Sequence, residues 1–241
     1  MHRLRHLAAA LLLTGTAMAA SAAGLQVAPV GLDLQATQQA DGLWLSNTGD
    51  AQLNAQVRVF RWTQEGGEDR LEPTEAVQVS PPMLELPAGG RQLVRVIRVG
   101  APPAAGVQQA YRVLVDELPL DTPGRKGLNF VMRHSLPVFL EPAGAPAAPP
   151  QLQLALQVSD GHVVLEAHNS GGSSAQLADL RLTDASGQTV PVHPGLLGYA
   201  LPGATMRWGL KLAPAALAGA HDWQLRLNGS DGAQAIAPPT R

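Results

Sequence analysis

The stretch LNFVMRHSLPVFLEP, residues 128–142, alternates between two kinds of side chain along its length. Large apolar residues occupy every second position, interrupted by one histidine: Leu128, Phe130, Met132, His134, Leu136, Val138 and Leu140. Alternation with a period of two is typical of a β-strand. The run is about twice the usual strand length. Its second half can serve a domain core, so its first half needs something else to pack against.

Shorter alternating runs bounded by turn residues precede this stretch, among them LQVAPVGLDLQ (25–35), AQVRVFRWTQ (55–64) and QAYRVLVDELP (109–119). Seven short runs within about 120 residues are typical of a β-sandwich. The chain has no cysteine, so an immunoglobulin-like sandwich here lacks the disulfide of antibody domains. We therefore predict an all-β, immunoglobulin-like domain over residues 24–142.

A Pro- and Ala-rich segment, residues 143–150, follows this domain and predicts a short, stiff linker. Six or seven further short runs lie beyond it, separated by turns such as NSGGSS (169–174). These runs predict a second β-sandwich over residues 151–241. We expect almost no helix, since the best candidate, LAPAALAGAH (212–221), contains an internal proline.

The first 23 residues have the pattern of a secretory signal peptide. A basic start with Arg3 and Arg5 precedes an apolar run that is too short to span a bilayer. Cleavage fits after Ala19, Ala22 or Ala23, and we favour Ala23. An exported chain without cysteine is held by its cores alone, which suits the periplasm of a Gram-negative cell.

Composition and motifs argue against several function classes. A formal net charge of −2 without charge runs gives no support for nucleic-acid binding. The histidines are scattered without metal-binding spacing, and no GxSxG motif is present. Asp116 and Glu117 are adjacent, so on a strand they point to opposite faces and cannot form an acid–base pair. We predict no catalytic residues, no metal site and no cofactor.

Several segments resemble the periplasmic chaperones of pilus assembly, the PapD-like family. QQAYRVLVDELP (108–119), followed by a strand ending in LPVFLEP, resembles two neighbouring strands of that family. The family pattern there is an aromatic, an acidic and an aliphatic residue and a proline, here Tyr111, Glu117, Leu118 and Pro119. PPMLELPAGGRQLVRV (81–96) and HVVLEAHNSGGSSAQLADLRL (162–182) resemble other family segments. RHSLPVF (133–139) is closer to the archaic, Csu-like branch.

The resemblance implies two immunoglobulin-like domains at an angle. It also implies that the last strand of the first domain lends its exposed half to a pilus subunit that lacks its own final strand, a case of β-augmentation. The matching donor positions are Leu128, Phe130 and Met132. The implied partners are pilus subunits, an outer-membrane usher and, by self-capping of the donor strand, a second copy of the chain. The alternative is that these three residues face their own core.

In classical members of the family that the chain resembles, an arginine on the first strand and a lysine on the last strand of the first domain hold the subunit's C-terminal carboxylate. The matching positions here fall near Val30 or Gly31 and at Pro137, and none of these carries a charge. Candidate replacements are three strand arginines, each of which is as easily read as a solvated side chain: Arg95, Arg98 and Arg133. An exported immunoglobulin-like binding or structural module, such as a pilus-associated adhesin domain, remains the alternative function.

Overall fold

The computed structural model describes residues 24–104, 106–119, 131–217, 223–228 and 233–240. Its first part contains ten strands: β1 (Leu25–Ala28), β2 (Leu32–Leu34), β3 (Ala40–Asn47), β4 (Leu53–Glu65), β5 (Glu68–Pro73), β6 (Val77–Ser80), β7 (Met83–Leu86), β8 (Arg91–Arg98), β9 (Gln109–Leu118) and β10 (Arg133–Leu140). Its second part contains eight: β11 (Leu152–Ser159), β12 (His162–Asn169), β13 (Ala175–Thr183), β14 (Thr189–Ala200), β15 (Thr205–Leu210), β16 (Gln224–Arg226), β17 (Ala233–Ala235) and β18 (Ala237–Thr240).

The first ten strands form a sandwich of two sheets. Sheet A has the order β1-β3-β8-β6, and sheet B has the order β2-β10-β9-β4-β5, with β7 also paired to β4. The inward residues of both sheets form one core, which includes Leu43, Val94, Tyr111, Val113 and Val138. Only every second residue of each strand enters this core, which is the physical basis of the period-two pattern.

The run LQVAPVGLDLQ divides between the two sheets. β1 pairs with β3 in sheet A, whereas β2 pairs in parallel with β10 in sheet B. Pro29 lies between the two strands and has no N–H with which to continue a ladder. The sequence shows one alternating run over residues 25–35, and the structure shows two short strands there, one in each sheet.

The last eight strands form a second sandwich. One sheet has the order β15-β12-β11-β18 and the other β14-β13-β16-β17. Leu156, Leu165, Leu177 and Leu225 belong to its separate core. The helix candidate LAPAALAGAH contributes only the short 3-10 turn Pro214–Leu217 among the described residues.

The predicted linker segment is packed against the NSGGSS turn. The backbone N–H of Gly172 donates to the Ala148 carbonyl over 3.1 Å. A Cβ on Gly171 would lie 2.3 Å from the Pro149 carbonyl oxygen, so no larger residue fits there. The glycines of this turn therefore allow the connecting segment to lie directly on the second sandwich.

A buried asparagine fixes the same turn. Asn169 is fully buried, and its amide nitrogen donates to the carbonyls of Ser173 and Ala200 at 2.8 and 2.9 Å. Its side-chain oxygen accepts from the N–H groups of Gln151 and Gly171 at 3.1 and 3.0 Å. The side chain thus forms hydrogen bonds with four backbone groups in and around the turn.

Replacing Asn169 by Ala should lower the free energy of unfolding by about 2–4 kcal/mol, because each buried backbone group left without a partner costs about 1–3 kcal/mol. Urea unfolding followed by circular dichroism would measure the change. Ser170→Ala is the matched control, since Ser170 is exposed and its hydroxyl makes only a 3.4 Å contact with the Gln151 carbonyl. Equal stability of the two variants would contradict a structural role for Asn169.

Candidate functional site

The first half of β10 has an open edge. On one side β10 pairs with β9 along its whole length, from Arg133 opposite Asp116 to Leu140 opposite Gln109. On the other side β2 pairs with β10 only from Val138 onward. Among the described residues, no strand pairs with the Arg133–Pro137 edge. Unpaired backbone groups on an edge can accept a strand from another chain.

The ladder between β9 and β10 continues one step beyond the strand. The N–H of Glu117 donates to the Met132 carbonyl at 2.9 Å, and the N–H of Met132 donates to the Glu117 carboxylate at 3.3 Å. Glu117, one of the family-pattern residues, therefore holds the chain where it enters β10. The approach to the open edge has a defined register.

Met132 lies beyond the end of the domain core. It has the same parity as the buried residues Leu136 and Val138, but it is 48% exposed. Between them, the His134 ring nitrogen Nε2 lies 2.9 Å from the Leu25 carbonyl and links β10 to β1. Leu128 and Phe130, the other two predicted donor residues, lie outside the described residues.

The outer face of sheet B carries a charged cluster beside this entry point. Asp116 is buried and accepts hydrogen bonds from Arg58, at 2.7 Å, and from Arg133. Burial raises the pKa of Asp116, but the hydrogen bonds and charges of Arg133 and Arg58 outweigh it and hold that pKa below its ordinary value. Two arginines share one carboxylate, so the cluster carries a net positive charge.

Asp116→Asn should lower the free energy of unfolding by about 1 kcal/mol at neutral pH, a modest effect because both arginines are partly exposed. The pKa is lower in the folded than in the unfolded chain, so the ionised carboxylate stabilises the fold above about pH 4. This contribution disappears as the pH falls through the folded-state pKa. Urea unfolding of both proteins across this range would test it.

Glu65→Gln is the matched control for that titration, because the Glu65–Arg70 pair is exposed on both sides and should contribute almost nothing. A stability difference between wild type and Asp116→Asn that persists unchanged into strong acid would show that the carboxylate charge is not its source.

An aromatic cluster joins the two sandwiches at the other end of the same face. Trp62 and Phe139 from the first sandwich contact Tyr199 from the second, with ring centroids 5.6 and 5.9 Å from that of Tyr199. Gln64 strengthens the junction. Its amide nitrogen donates to the Tyr199 carbonyl, and its oxygen accepts from the N–H of Leu201, both at 2.8 Å.

Arg112 lies on this cluster. Its guanidinium carbon is 3.7 Å from the Trp62 ring centroid and 5.4 Å from that of Tyr199. Burial lowers the pKa of Arg112, opposed by Asp69 and Tyr199, and an arginine stays protonated at neutral pH. No ion pair joins Arg112 to a carboxylate within the described part of the chain. A stacked, charged and unpaired guanidinium is suited to bind a carboxylate through two parallel hydrogen bonds.

The two positions at which the family resemblance would place the carboxylate anchor are neighbours here. A Cβ on Gly31 would lie 3.1 Å from Pro137 Cγ, so the residue before β2 meets β10 at that point. Pro137 is directly opposite Arg112 in the β9–β10 register. The positive charge missing from Gly31 and Pro137 is thus found one strand away. Sequence reasoning missed Arg112 because only the register of two distant strands brings it there.

The three arginines suggested by the sequence lie in three different surroundings. Arg133 is on the same face as Arg112 but is paired with Asp116. Arg98 is 7% exposed, donates to the Ala36 carbonyl, and has Nε and Nη1 buried without a partner among the described residues. Arg95 is exposed on the outer face of sheet A. The structure does not bring these three together.

Metal-binding clusters are not found in the described ranges. No group of three or more histidine, aspartate or glutamate side chains there could hold a metal ion. Nor does any described helix have the length and apolar character needed to cross a bilayer. What this face does present is an open strand edge and a guanidinium that forms no ion pair among the described residues.

Comparison with known proteins identifies the family. The profile described as pili and flagellar-assembly chaperone, PapD N-terminal domain, matches residues 24–146, just over half of the chain. The chain belongs to the PapD family of pilus-assembly chaperones. The predicted membership in this family is confirmed, and so is the all-β fold. A comparison with curated protein sequences found no match.

Solved structures of PapD-like chaperones share the fold. The chain is 24% identical, with a TM-score of 0.67, to a structure of the CsuC–CsuE chaperone–tip adhesion subunit pre-assembly complex from archaic chaperone-usher Csu pili of Acinetobacter baumannii, covering 91% of this chain and 100% of that one. The CupB2 chaperone of Pseudomonas aeruginosa is 16% identical, with a TM-score of 0.54 and coverages of 87% and 97%. The chain is 18% identical, with a TM-score of 0.57, to a structure of the Salmonella enterica SafA pilin in complex with the SafB chaperone, covering 88% of this chain and 93% of that one.

Proposed function

We propose that this PapD-family chaperone binds pilus subunits in the periplasm by donor-strand complementation and delivers them to an outer-membrane usher. The observation that carries the proposal is the open Arg133–Pro137 edge of β10, which continues into the exposed Met132. A subunit that lacks its last strand has an unpaired edge and an uncovered core groove. The segment around Met132 can pair with that edge through backbone hydrogen bonds and fill that groove with apolar side chains.

The predicted donor residues have the right spacing for this role. Leu128, Phe130 and Met132 occur at every second position, so on a continuous strand they all point to one face. Met132 is exposed because the domain's own core ends at Leu136. Methionine is flexible and fits differently shaped pockets, which suits a chaperone that handles more than one subunit. Without a subunit, a second copy of the chain would cap the same residues.

Arg112 is our proposed anchor for the subunit's C-terminal carboxylate. It is four residues from Asp116 along β9, so roughly 13 Å of sheet separates the anchor from the start of the donor segment. A subunit strand held at Arg112 would run along the open β10 edge toward Met132. The stacking on Trp62 orders the guanidinium before the carboxylate arrives, which lowers the entropic cost of binding. Arg133, on the same face, is the sequence-based candidate best placed to assist.

Co-expression with the subunit encoded beside the chaperone gene tests the function directly. We expect a soluble complex with one copy of each protein, and aggregation of the subunit when the chaperone is absent. Size-exclusion chromatography of a periplasmic extract would show both results. A subunit that is equally soluble without the chaperone, or that never co-elutes with it, would contradict the proposal.

A further inference from the structure

The outer face of sheet A forms a second surface, on the opposite side of the sandwich from Arg112. Trp44 on β3 lies at its centre, paired with Leu93 on β8, and is 38% exposed. Arg91 and Arg95 flank Leu93 on β8, so both arginines share this face. The Arg91 guanidinium carbon lies 4.0 Å from the Trp44 ring centroid. The surface thus combines one aromatic and two cationic side chains.

A hollow lies on each side of Trp44. The first, about 260 Å³, is lined by Trp44, Gly42, Leu93 and Arg95 among others. Gly42 lets the Leu93 side chain lie across β3 at the wall of this hollow, since a Cβ there would approach Leu93 Cδ1 to 2.6 Å. The second, about 340 Å³, borders Trp44 and Arg91. Each hollow therefore has Trp44 in its wall and one arginine at its border.

The two arginines have no acidic partner within the described part of the chain. Neither forms an ion pair there. Asp41 borders the first hollow, but its carboxylate accepts a hydrogen bond from the Gly42 N–H at 2.7 Å. The outward positions of β1, β3, β6 and β8 carry no acidic residue. Tryptophan and arginine are the side chains most enriched at the energetic centres of protein interfaces.

We propose that this face docks an extended acidic segment of a partner protein other than the bound subunit. Arg91 and Arg95 are four residues apart on one strand, which sets them roughly 13 Å apart. The matching segment carries two carboxylates with the same four-residue separation and an apolar side chain midway between them. Each guanidinium grips one carboxylate through its planar fork. The apolar side chain covers Trp44 and Leu93.

A labelled peptide with this pattern tests the surface. The probe is acetyl-Ser-Glu-Thr-Val-Thr-Glu-Ser-amide, and its control has Gln in place of both Glu residues. Fluorescence anisotropy with the mature chain should show binding of the Glu peptide that weakens with added salt. Arg91→Gln combined with Arg95→Gln should weaken that binding about tenfold or more. Trp44→Ala should weaken it without changing the charge.

Arg181 and Arg226 provide the matched control, because they are exposed, lie opposite each other on β13 and β16, and belong to the second sandwich. Changing both to Gln should leave peptide binding unchanged. Equal binding of the Glu and Gln peptides, or full binding by the Arg91 and Arg95 double variant, would overturn the proposal. So would arginine-dependent binding to phosphatidylglycerol vesicles without peptide binding, which would indicate a lipid surface. The double variant should still form the soluble subunit complex, so this test is independent of the donor-strand proposal.

Discussion

A chaperone carrying Arg112→Met should remain folded and bind its subunit roughly 10- to 150-fold more weakly than wild type, the loss expected for charged hydrogen bonds worth about 1.5–3 kcal/mol. The guanidinium is held flat against Trp62 and has no carboxylate partner among the described residues. Methionine keeps most of the apolar contact and removes the charge. The affinity loss therefore reports on the carboxylate contact more than on packing.

A peptide with the subunit's C-terminal sequence, made once as the free acid and once as the amide, isolates that contact. Wild-type chaperone should prefer the free acid, and Arg112→Met should bind both peptides equally. Arg112→Lys should show a partial preference, since an ammonium group supplies the charge without the two-pronged geometry.

Arg61→Met is the control for the peptide comparison. Arg61 is an exposed arginine on the adjacent strand, opposite Tyr111 and hence of core-facing parity. The Arg61→Met variant should keep the full preference for the free-acid peptide. If Arg112→Met also kept that preference, the carboxylate anchor would have to lie elsewhere, with Arg133 the next residue to test.

The strands were predictable because the alternation of apolar and polar residues along each one shows which of its residues are buried. In a strand every second residue faces the core, so the pattern can be read from a short segment. The alternating run QAYRVLVDELP (109–119), for example, coincides closely with β9, Gln109–Leu118. The pairing of strands was not predictable in the same way, because it depends on contacts between distant parts of the chain. The split of residues 25–35 between two sheets is an example, since both halves show the same alternation.

The proposed carboxylate anchor, Arg112, could not be predicted from the sequence for the same reason. Matching this chain to its family places the anchor at Gly31 and Pro137, and the local sequence there shows only that the charge is missing. Arg112 is 25 residues before Pro137 in the chain and becomes its neighbour through the β9–β10 register. The aromatic platform beneath it needs Trp62 from β4 and Tyr199 from the second sandwich. A search for arginine near the missing positions in sequence could not find a site assembled from three distant segments.

Met132→Asp should abolish rescue of the subunit and leave the thermal midpoint of the free chaperone nearly unchanged. Burying a side chain of this size stabilises a complex by roughly 1.5–3 kcal/mol before ordering costs, and a carboxylate in an apolar groove is penalised further. The free chaperone should tolerate the change, since Met132 is 48% exposed and lies beyond the buried Leu136.

Val131→Asp is the decisive comparison for the donor strand. Val131 is 49% exposed, almost the same as Met132, but the alternation of the strand points it to the opposite face. The Val131→Asp variant should reduce subunit rescue much less.

The same contrast is expected two residues earlier in the chain, where Phe130→Asp should abolish rescue and Asn129→Asp should not. Equal effects within each pair would mean that the face of the strand does not matter, which is incompatible with side chains entering a groove. A large fall in the thermal midpoint of Phe130→Asp would place Phe130 in the chaperone's own core instead, and the donor segment would then have to be shortened to the residues around Met132.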